Sequence, residues 1–282
     1  GPIVAVTAGW EEREAEDDEL REHLGRPLTN LAVWARVERI LAADPELFEA
    51  LRRRHDRLRV IQELYRLRLD GLLEPLRELH RRDDAPELIE PEQKAAMAML
   101  RGLDKEHMER VAAVHRDFEA RWVPGERDAV RRERLELQRL LGDAKGLLIA
   151  GGHVGVLLHR LRLFDLFGML GDRPVVAWSA GAMILCPRIV LFHGSPPQGS
   201  HHPEVMEAGF GLVPGFVALP DARRRLQLDD ARSMQVFARR MLPAHCGLLD
   251  RGAWFQWRDG EWTADPGSLV LDAAGVPQEV TT

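Results

Sequence analysis

A single serine stands where an apolar run changes into small residues. The run Val175 to Trp178 precedes Ser179, and Ala180 to Ala182 follow it. A serine between a strand and a helix is typical of a nucleophile elbow, in which small neighbours let the backbone turn sharply and the helix N–H groups face the hydroxyl. The pattern is close to G-x-S-x-G, although Ala177 stands in place of the first glycine. The alternative is a serine that only caps the helix.

A glycine turn precedes this serine turn. Leu147 to Ala150 read as a buried strand that ends in Gly151-Gly152-His153, and Val154 to Leu170 read as a helix. Two strand–turn–helix units in succession predict a parallel sheet whose right-handed crossovers place both turns at one edge. The N–H groups of Gly151, Gly152 and Ala180 would then lie beside the Ser179 hydroxyl, as an oxyanion site requires.

These residues resemble the dipeptidase E and cyanophycinase family of serine peptidases. The resemblance covers about Gly146 to Gly275 and the first strand. It is carried by four segments: the glycine turn Ala150-Gly151-Gly152-His153, the serine turn from Trp178 to Cys186-Pro187, the segment Gly211 to Asp221, and Cys246 to Asp250 with Trp254 and Asp259-Gly260. It implies a class I glutamine amidotransferase-like fold, a Ser-His-Glu triad and cleavage of peptide bonds next to aspartate.

The chain departs from the family at the site itself. In Leu219-Pro220-Asp221, Asp221 occupies the position of the family's histidine. Asp250 holds the glutamate position with a side chain one methylene shorter, and Ala150 replaces the first glycine of the glycine turn. The resemblance therefore implies Ser179, Asp221 and Asp250 as the catalytic set, with Gly151, Gly152, His153 and Ala180 around the oxyanion.

The missing histidine has a chemical consequence. Serine needs a base whose pKa lies near the working pH, and an ordinary aspartate, with a pKa of about 3.9, is a weak one. A carboxylate neighbour such as Asp250 can raise the pKa of one member of a pair. The candidate substitute bases are His153 in the glycine turn, His201 and His202 in what reads as a polar loop, and His245 on the Asp250 strand.

Two other clusters lack a ligand pattern. His201-His202-Pro203-Glu204 has no regular His-x3-His or cysteine spacing, so we expect neither a metal nor a cofactor. Arg223-Arg224-Arg225 could hold a substrate carboxylate, but a solvated run is the more ordinary interpretation.

Three functions remain open. The first is a dipeptidase E-like serine hydrolase with nucleophile Ser179 and a degraded or rebuilt triad, acting on a small acidic peptide or amide. The second is an inactive pseudoenzyme that binds or scaffolds through a helical region. The third is an α/β-hydrolase esterase using Ser179, Asp221 and His245 in that chain order, which the C-terminal resemblance disfavours. A serine-directed fluorophosphonate probe separates the first and third from the second.

The elements that position these residues form three predicted segments. Residues 1–10 hold the first strand of the core, since Ile3 to Thr7 is a β-branched run. Residues 11–142 form a helical insertion, helical from about Leu28, and residues 143–282 form the α/β core with the serine turn and a C-terminal hairpin. The predicted fold is α/β: a mostly parallel sheet sandwiched by helices, with a large all-helical insertion after the first strand.

The insertion shows apolar stripes at helical spacing, for example Leu51, Leu58, Tyr65 and Leu72 at seven-residue steps. Such stripes could hold a cofactor, but core packing is the ordinary explanation. We expect Pro75 to kink or break its helix and 87–91 to be a connection. The long stripe predicts self-association, and we expect a homodimer.

Composition excludes several classes of function. A net charge of −6 gives no reason to expect nucleic-acid or membrane binding, and no apolar run is long enough to span a bilayer. Two cysteines do not make a disulfide framework. We therefore expect a cytoplasmic protein without a signal peptide.

Overall fold

The computed structural model describes residues 2–193 and 201–280. In chain order its elements are β1 (Ile3–Val6), α1 (Asp18–Leu24), β2 (Leu28–Asn30), α2 (Val33–Ala43), α3 (Pro45–Arg81), α4 (Pro86–Trp122), α5 (Asp128–Gly142), β3 (Gly146–Ile149), α6 (Val154–Phe164), α7 (Leu166–Leu170), β4 (Val175–Ala177), α8 (Ala180–Leu185), β5 (Ile189–His193), β6 (His201–Glu207), β7 (Phe216–Pro220), α9 (Ala222–Arg225), α10 (Ala231–Met241), β8 (His245–Leu249), β9 (Phe255–Arg258), β10 (Glu261–Ala264), β11 (Leu269–Leu271) and β12 (Pro277–Glu279).

The chain divides into two compact units. The first unit comprises Gly1–Asp56 and His115–Ile184, and the second comprises Arg57–Val114 and Leu185–Thr282. The helices α3 and α4 contribute residues to both units because each is 37 residues long.

The first unit is built on a parallel four-stranded sheet in the order β2–β1–β3–β4. The inner strands β1 and β3 are buried on both faces, as expected for a parallel sheet covered by helices. The start of α2 has no capping side chain of its own, since its N-cap is Ala32. Glu14 supplies the cap instead, because its two carboxylate oxygens accept from the N–H groups of Trp34 and Ala35 at 2.8 and 2.9 Å.

The second unit has its own four-stranded sheet in the order β12–β11–β8–β7. β7 and β8 run parallel, whereas β11 is antiparallel to β8 and to β12. β5 pairs with β6 and β9 with β10, both antiparallel. Apolar residues of α3 and α4, among them Leu69, Leu76 and Leu100, share one core with β7, β8 and α10. The part of the apolar stripe from Tyr65 to Leu76 is therefore core in this unit.

A buried polar cluster also holds the second unit together. The Arg240 guanidinium donates to both carboxylate oxygens of Asp104, each at 2.7 Å, and to the Tyr65 hydroxyl at 2.6 Å. Tyr65 in turn donates to Asp104 at 2.8 Å. Arg240 and Asp104 retain only 2% and 6% of their side-chain exposure. Each charge is hydrogen-bonded to its partner, which is the condition for burying an ion pair.

The α/β class is confirmed, with a parallel four-stranded sheet and a large helical region, α3 to α5, after the early strands. Leu28–Asn30 is a strand, although the pattern predicts helix there, because three residues are too few to show an alternation. The helix α3 continues through Pro75 because this proline lies on an exposed face, where water can reach the carbonyl that it leaves unpaired. α4 begins at Pro86 and includes the predicted connection.

Among the described residues, every helix is too short or too polar to cross a membrane.

Candidate active site

Ser179 occupies the turn between β4 and α8 in a left-handed conformation, with φ of +53°. Its carbonyl oxygen accepts the N–H groups of Ala182 and Met183 at 3.1 and 3.2 Å, so α8 begins directly at the serine. An ordinary N-cap serine has extended backbone angles and accepts a helix N–H with its hydroxyl. Ser179 has neither feature within the described residues, and left-handed serine costs about 1 kcal/mol. This geometry favours the nucleophile elbow over the helix cap.

The glycine turn lies against the serine. A Cβ atom on Gly151 would stand 2.7 Å from Ser179 Cβ and 2.8 Å from Ser179 Oγ, closer than real Cβ contacts come. On the other side of the serine, a Cβ atom on Gly181 would stand 2.4 Å from the carbonyl oxygen of Ile149. The predicted approach of the glycine turn to the serine turn is confirmed, and both glycines are required by it.

The N–H groups around the serine are available for an oxyanion. Within the described residues, the backbone N–H groups of Gly151, Gly152 and Ala180 donate no hydrogen bond, whereas their neighbours Ala150 and His153 do. Unpaired donors at a helix start are what a developing negative charge needs.

His153 serves as the N-cap of α6. Its Nδ1 accepts the N–H of Val156 at 3.2 Å, and its own N–H donates to the carbonyl of Gly9 at 2.7 Å. Within the described residues of the first unit, no side chain hydrogen-bonds to Ser179 Oγ. The structure therefore assigns His153 a capping contact and no contact with the serine.

In the second unit, Asp221 and Asp250 follow neighbouring parallel strands. The last residues of β7 and β8, Pro220 and Leu249, are register partners, and the Asp221 N–H donates to the Leu249 carbonyl at 3.1 Å. The two carboxylates therefore leave the sheet at the same edge. Asp221 has a left-handed backbone, with φ of +55°, a conformation that is uncommon outside glycine, asparagine and aspartate.

Both carboxylates are paired with the arginine run that ends α9. Asp250 accepts the Arg223 N–H at 3.1 Å and lies 3.6 Å from the Arg223 guanidinium. Asp221 lies 3.6 Å from Arg224 and 3.7 Å from Arg225. The sequence favours a solvated run, and the run does remain 44% to 85% exposed, but each arginine also faces one of the two candidate carboxylates.

The other candidate bases of the second unit lie elsewhere. His245 begins β8 and pairs with Phe216 at the start of β7, so it stands at the opposite end of the strand from Asp250. His201 and His202 lie in β6 rather than in a loop, and the His201 side chain is outside the described part of the chain. His202 contacts the Arg77 guanidinium at 2.9 Å. Burial, and then the charge of Arg77, lower the pKa of His202.

Comparison with known proteins gives a partial match. No family model matches the chain. Two curated proteins named peptidase E, from two strains of Shewanella baltica, are each 38% identical to it over 52 residues, which is 17% of this chain. The matched part spans 22% of the length of these relatives. This chain is distantly similar to peptidase E. A crystal structure of a peptidase from an acI-B1 Actinobacterium is also similar. The match covers 62% of this chain and 75% of that peptidase chain, with 18% sequence identity and a TM-score of 0.37.

Gly9 is a residue of this site that sequence reasoning missed. A Cβ atom on Gly9 would stand 2.3 Å from the Gly151 carbonyl oxygen, and one on Gly152 would stand 2.1 Å from the Gly9 carbonyl oxygen. Gly152 also has φ of +105°, which strains any other residue. The turn directly after β1 therefore holds the glycine turn in place. The available signal was a glycine shortly after the first strand.

Proposed function

We propose that this chain is a serine hydrolase of the peptidase E type, with Ser179 as nucleophile and a small acidic peptide or amide as substrate. One observation carries the proposal: Ser179 is held in a strained left-handed turn against Gly151, with unpaired N–H groups beside it. Strain of this kind persists where surrounding structure imposes it and is concentrated at functional sites. The distant similarity to peptidase E supports the same class of reaction.

The reaction follows from the chemistry of serine. Ser179 Oγ attacks the carbonyl carbon of the scissile amide and gives its proton to the base of the site, and the carbonyl oxygen becomes an oxyanion that the N–H groups of Gly151, Gly152 and Ala180 stabilise. Collapse of this intermediate breaks the carbon–nitrogen bond, and the base returns the proton to the leaving amine. Water then gives a proton to the same base and attacks the acyl group, which leaves the serine as a carboxylic acid while the proton returns to Oγ. The catalytic set that the resemblance implies adds Asp221 and Asp250.

The expected rate is low because aspartate stands at the histidine position. General-base assistance contributes roughly 10²–10⁴-fold, and an aspartate carboxylate is a weak base near neutral pH. We therefore expect slow or undetectable cleavage of aspartyl dipeptides by the wild-type protein, with the nucleophile and the oxyanion site still present.

The second candidate function is an inactive binding protein. The observation that favours it is the pairing of Asp221 and Asp250 with Arg223, Arg224 and Arg225. Guanidinium groups that face two carboxylates are suited to hold charged ligands rather than to move a proton.

A fluorophosphonate probe separates the two functions. We expect the probe to label the wild-type protein slowly and Ser179→Ala not at all, because attack on phosphorus needs the serine hydroxyl and the base available to it is weak. Absence of labelling in a folded wild-type protein would favour the binding function over the hydrolase.

The resemblance then predicts that Asp221→His creates or raises hydrolysis of aspartyl dipeptides, that Asp221→Asn does not, and that Ser179→Ala abolishes the gain.

The substitute histidines form the matching control. If His153 or His201 already serves as base, the wild-type protein is active, Asp221→His adds little, and His153→Ala or His201→Ala removes activity. We place His245 last among them because it begins β8, at the end opposite Asp250.

Homodimer formation through the helical region also remains a proposal. Its measurement is light scattering of the intact chain, and a monomer at micromolar concentration would overturn it.

A further inference from the structure

The second unit contains a cavity whose wall is rich in arginine. Its volume is about 280 Å³, and four arginines line it: Arg77, Arg81, Arg225 and Arg232. Among the described residues of the lining, Asp230 is the one carboxylate. The cavity is bounded by the last turns of α3, by β5 and β6, and by the segment from α9 into α10. Ser179, Asp221 and Asp250 do not line it.

The positive charge of this wall is compensated mainly by exposed pairs, one of which joins Arg225 to Asp221 at 3.7 Å, where Asp221 is 46% exposed. The Arg81–Glu78 and Arg77–Glu74 pairs are 3.4 and 3.5 Å long, and both glutamates are more than 60% exposed. Exposed pairs of this kind contribute little, because water competes with them. Within the described residues, Arg232 makes no ion pair.

Asp230 offsets one of these four charges, and it also has a structural role. Its Oδ1 accepts the Ser233 N–H at 3.1 Å and caps the first turn of α10. The contact with Ser233 chiefly, and also the charge of Arg77, lower the pKa of Asp230, so the carboxylate stays ionised as the cap of α10. With four guanidinium groups and one carboxylate, the described lining keeps a net positive charge.

Arg77 carries a more specific signal. Its Nη atoms contact the ring nitrogens of His202 at 2.9 and 3.2 Å, a neutral partner for a cation. Within the part of the chain that the structure describes, its Nε atom is buried and has no hydrogen-bond partner. A cation that is held mainly by a neutral ring is poorly compensated, and an anion in the cavity that Arg77 lines would offset that cost through the charge of the guanidinium.

We propose that this cavity binds the phosphoryl group of a small phosphate monoester. A planar carboxylate is satisfied by one guanidinium, whereas a tetrahedral dianion presents oxygens in several directions and suits guanidinium groups from separate elements. Here α3, α9 and α10 each supply at least one. The apolar lining, Phe192, Leu226, Met234 and Val236, leaves a place for the organic part of the ester.

Calorimetric titration of the intact chain tests this inference with three probes: inorganic phosphate, phenyl phosphate and succinate. We expect saturable binding of inorganic phosphate with a Kd of about 1 mM or below, tighter binding of phenyl phosphate because of the apolar lining, and weaker binding of succinate.

The variants Arg232→Ala and Arg81→Ala should each weaken phenyl phosphate binding about tenfold or more, since each removes a charged donor. Arg239→Ala is the matched control: it removes the same charge from α10, seven residues along, and lines no part of the cavity. Circular dichroism and thermal unfolding without ligand establish that each variant is folded.

Three outcomes would overturn the inference: no saturable binding of either phosphate, equal loss of affinity in Arg239→Ala, or binding of succinate as tight as that of phenyl phosphate. Failure here leaves the proposed hydrolase function unaffected, because that proposal depends on labelling of Ser179.

Discussion

Gly151 and Ser179 are packed so closely that only glycine fits opposite the serine. A Cβ atom at residue 151 would lie 2.7 Å from Ser179 Cβ and 2.8 Å from Ser179 Oγ. Gly151 also offers one of the unpaired N–H groups beside the hydroxyl. The same close approach therefore restricts the rotamers of the nucleophile and brings the oxyanion donors to it.

Gly151→Ala should disable the site while the sheet stays intact. The added methyl group must displace the Ser179 side chain, and a misplacement of about 1 Å costs roughly 10²-fold in rate. We expect a loss of that order in the rate of fluorophosphonate labelling. The control is Gly142→Ala at the end of α5, where a Cβ atom meets nothing within 4 Å. Unchanged labelling of Gly151→Ala would mean that the turn adapts to the methyl group.

The left-handed backbone of Ser179 predicts an unusual order of stability among its variants. Glycine adopts φ of +53° without the Cβ clash, so Ser179→Gly should be more stable than Ser179→Ala by about 1 kcal/mol. Ser233, in the first turn of α10, is the control, because in a helix glycine should be less stable than alanine by roughly 0.5–1 kcal/mol. Urea unfolding of the four variants gives both differences, and the same sign at both positions would contradict the prediction.

Local features of the site could be predicted from the sequence. The serine turn and the glycine turn each follow a short apolar run, and the parallel arrangement that brings them together follows from strand–helix–strand order. The family resemblance implied that Asp221 and Asp250 belong to one site, and the parallel register of β7 and β8 brings both residues to the same end of their sheet. The left-handed angles at Ser179 and Asp221 could not be predicted, because neighbouring elements impose them.

Features made by distant parts of the chain could not be predicted. Arg77, His202 and Arg232 line one cavity although more than a hundred residues separate the first from the second. In the sequence they belong to a helical stripe, a polar run and an amphipathic helix. The contact of Gly9 with Gly151 is also long-range, and no periodic pattern in the sequence indicates it.

The buried Asp104–Arg240 pair predicts strong coupling between the helical region and α10 within the second unit. Asp104→Asn leaves the Arg240 guanidinium buried without its counter-charge, and breaking such a pair costs about 3–5 kcal/mol. The double variant Asp104→Leu with Arg240→Met removes both charges and should recover most of that loss. Urea unfolding of these variants, and of Asp104→Leu and Arg240→Met alone, gives the coupling free energy between residues 104 and 240. If the double variant loses the sum of the two single losses in stability, the Asp104–Arg240 pair contributes no coupling free energy.

The last prediction concerns alkaline pH. Tyr65, the single tyrosine of the chain, is stacked on His107 at 4.1 Å and hydrogen-bonded inside the second unit. Burial raises the pKa of Tyr65 well above its ordinary value, so the folded protein keeps the phenol neutral where an unfolded chain would ionise it. The stability that this group contributes is therefore fully present below about pH 10 and is lost as the pH rises above it, by up to about 1.4 kcal/mol per pH unit.

Absorbance at 295 nm follows tyrosinate directly and tests this prediction. The native protein should show no tyrosinate step near pH 10, and any step should coincide with loss of near-ultraviolet circular dichroism, whereas in urea the step returns to about pH 10.

Burial also raises the pKa of Cys186 and Cys246 to about 12, so these thiols also reduce the stability of the folded protein as the pH rises over a similar range. Replacing both cysteines by alanine removes their contribution and leaves that of Tyr65. A normal tyrosinate step in the folded double variant would show that Tyr65 is open to solvent.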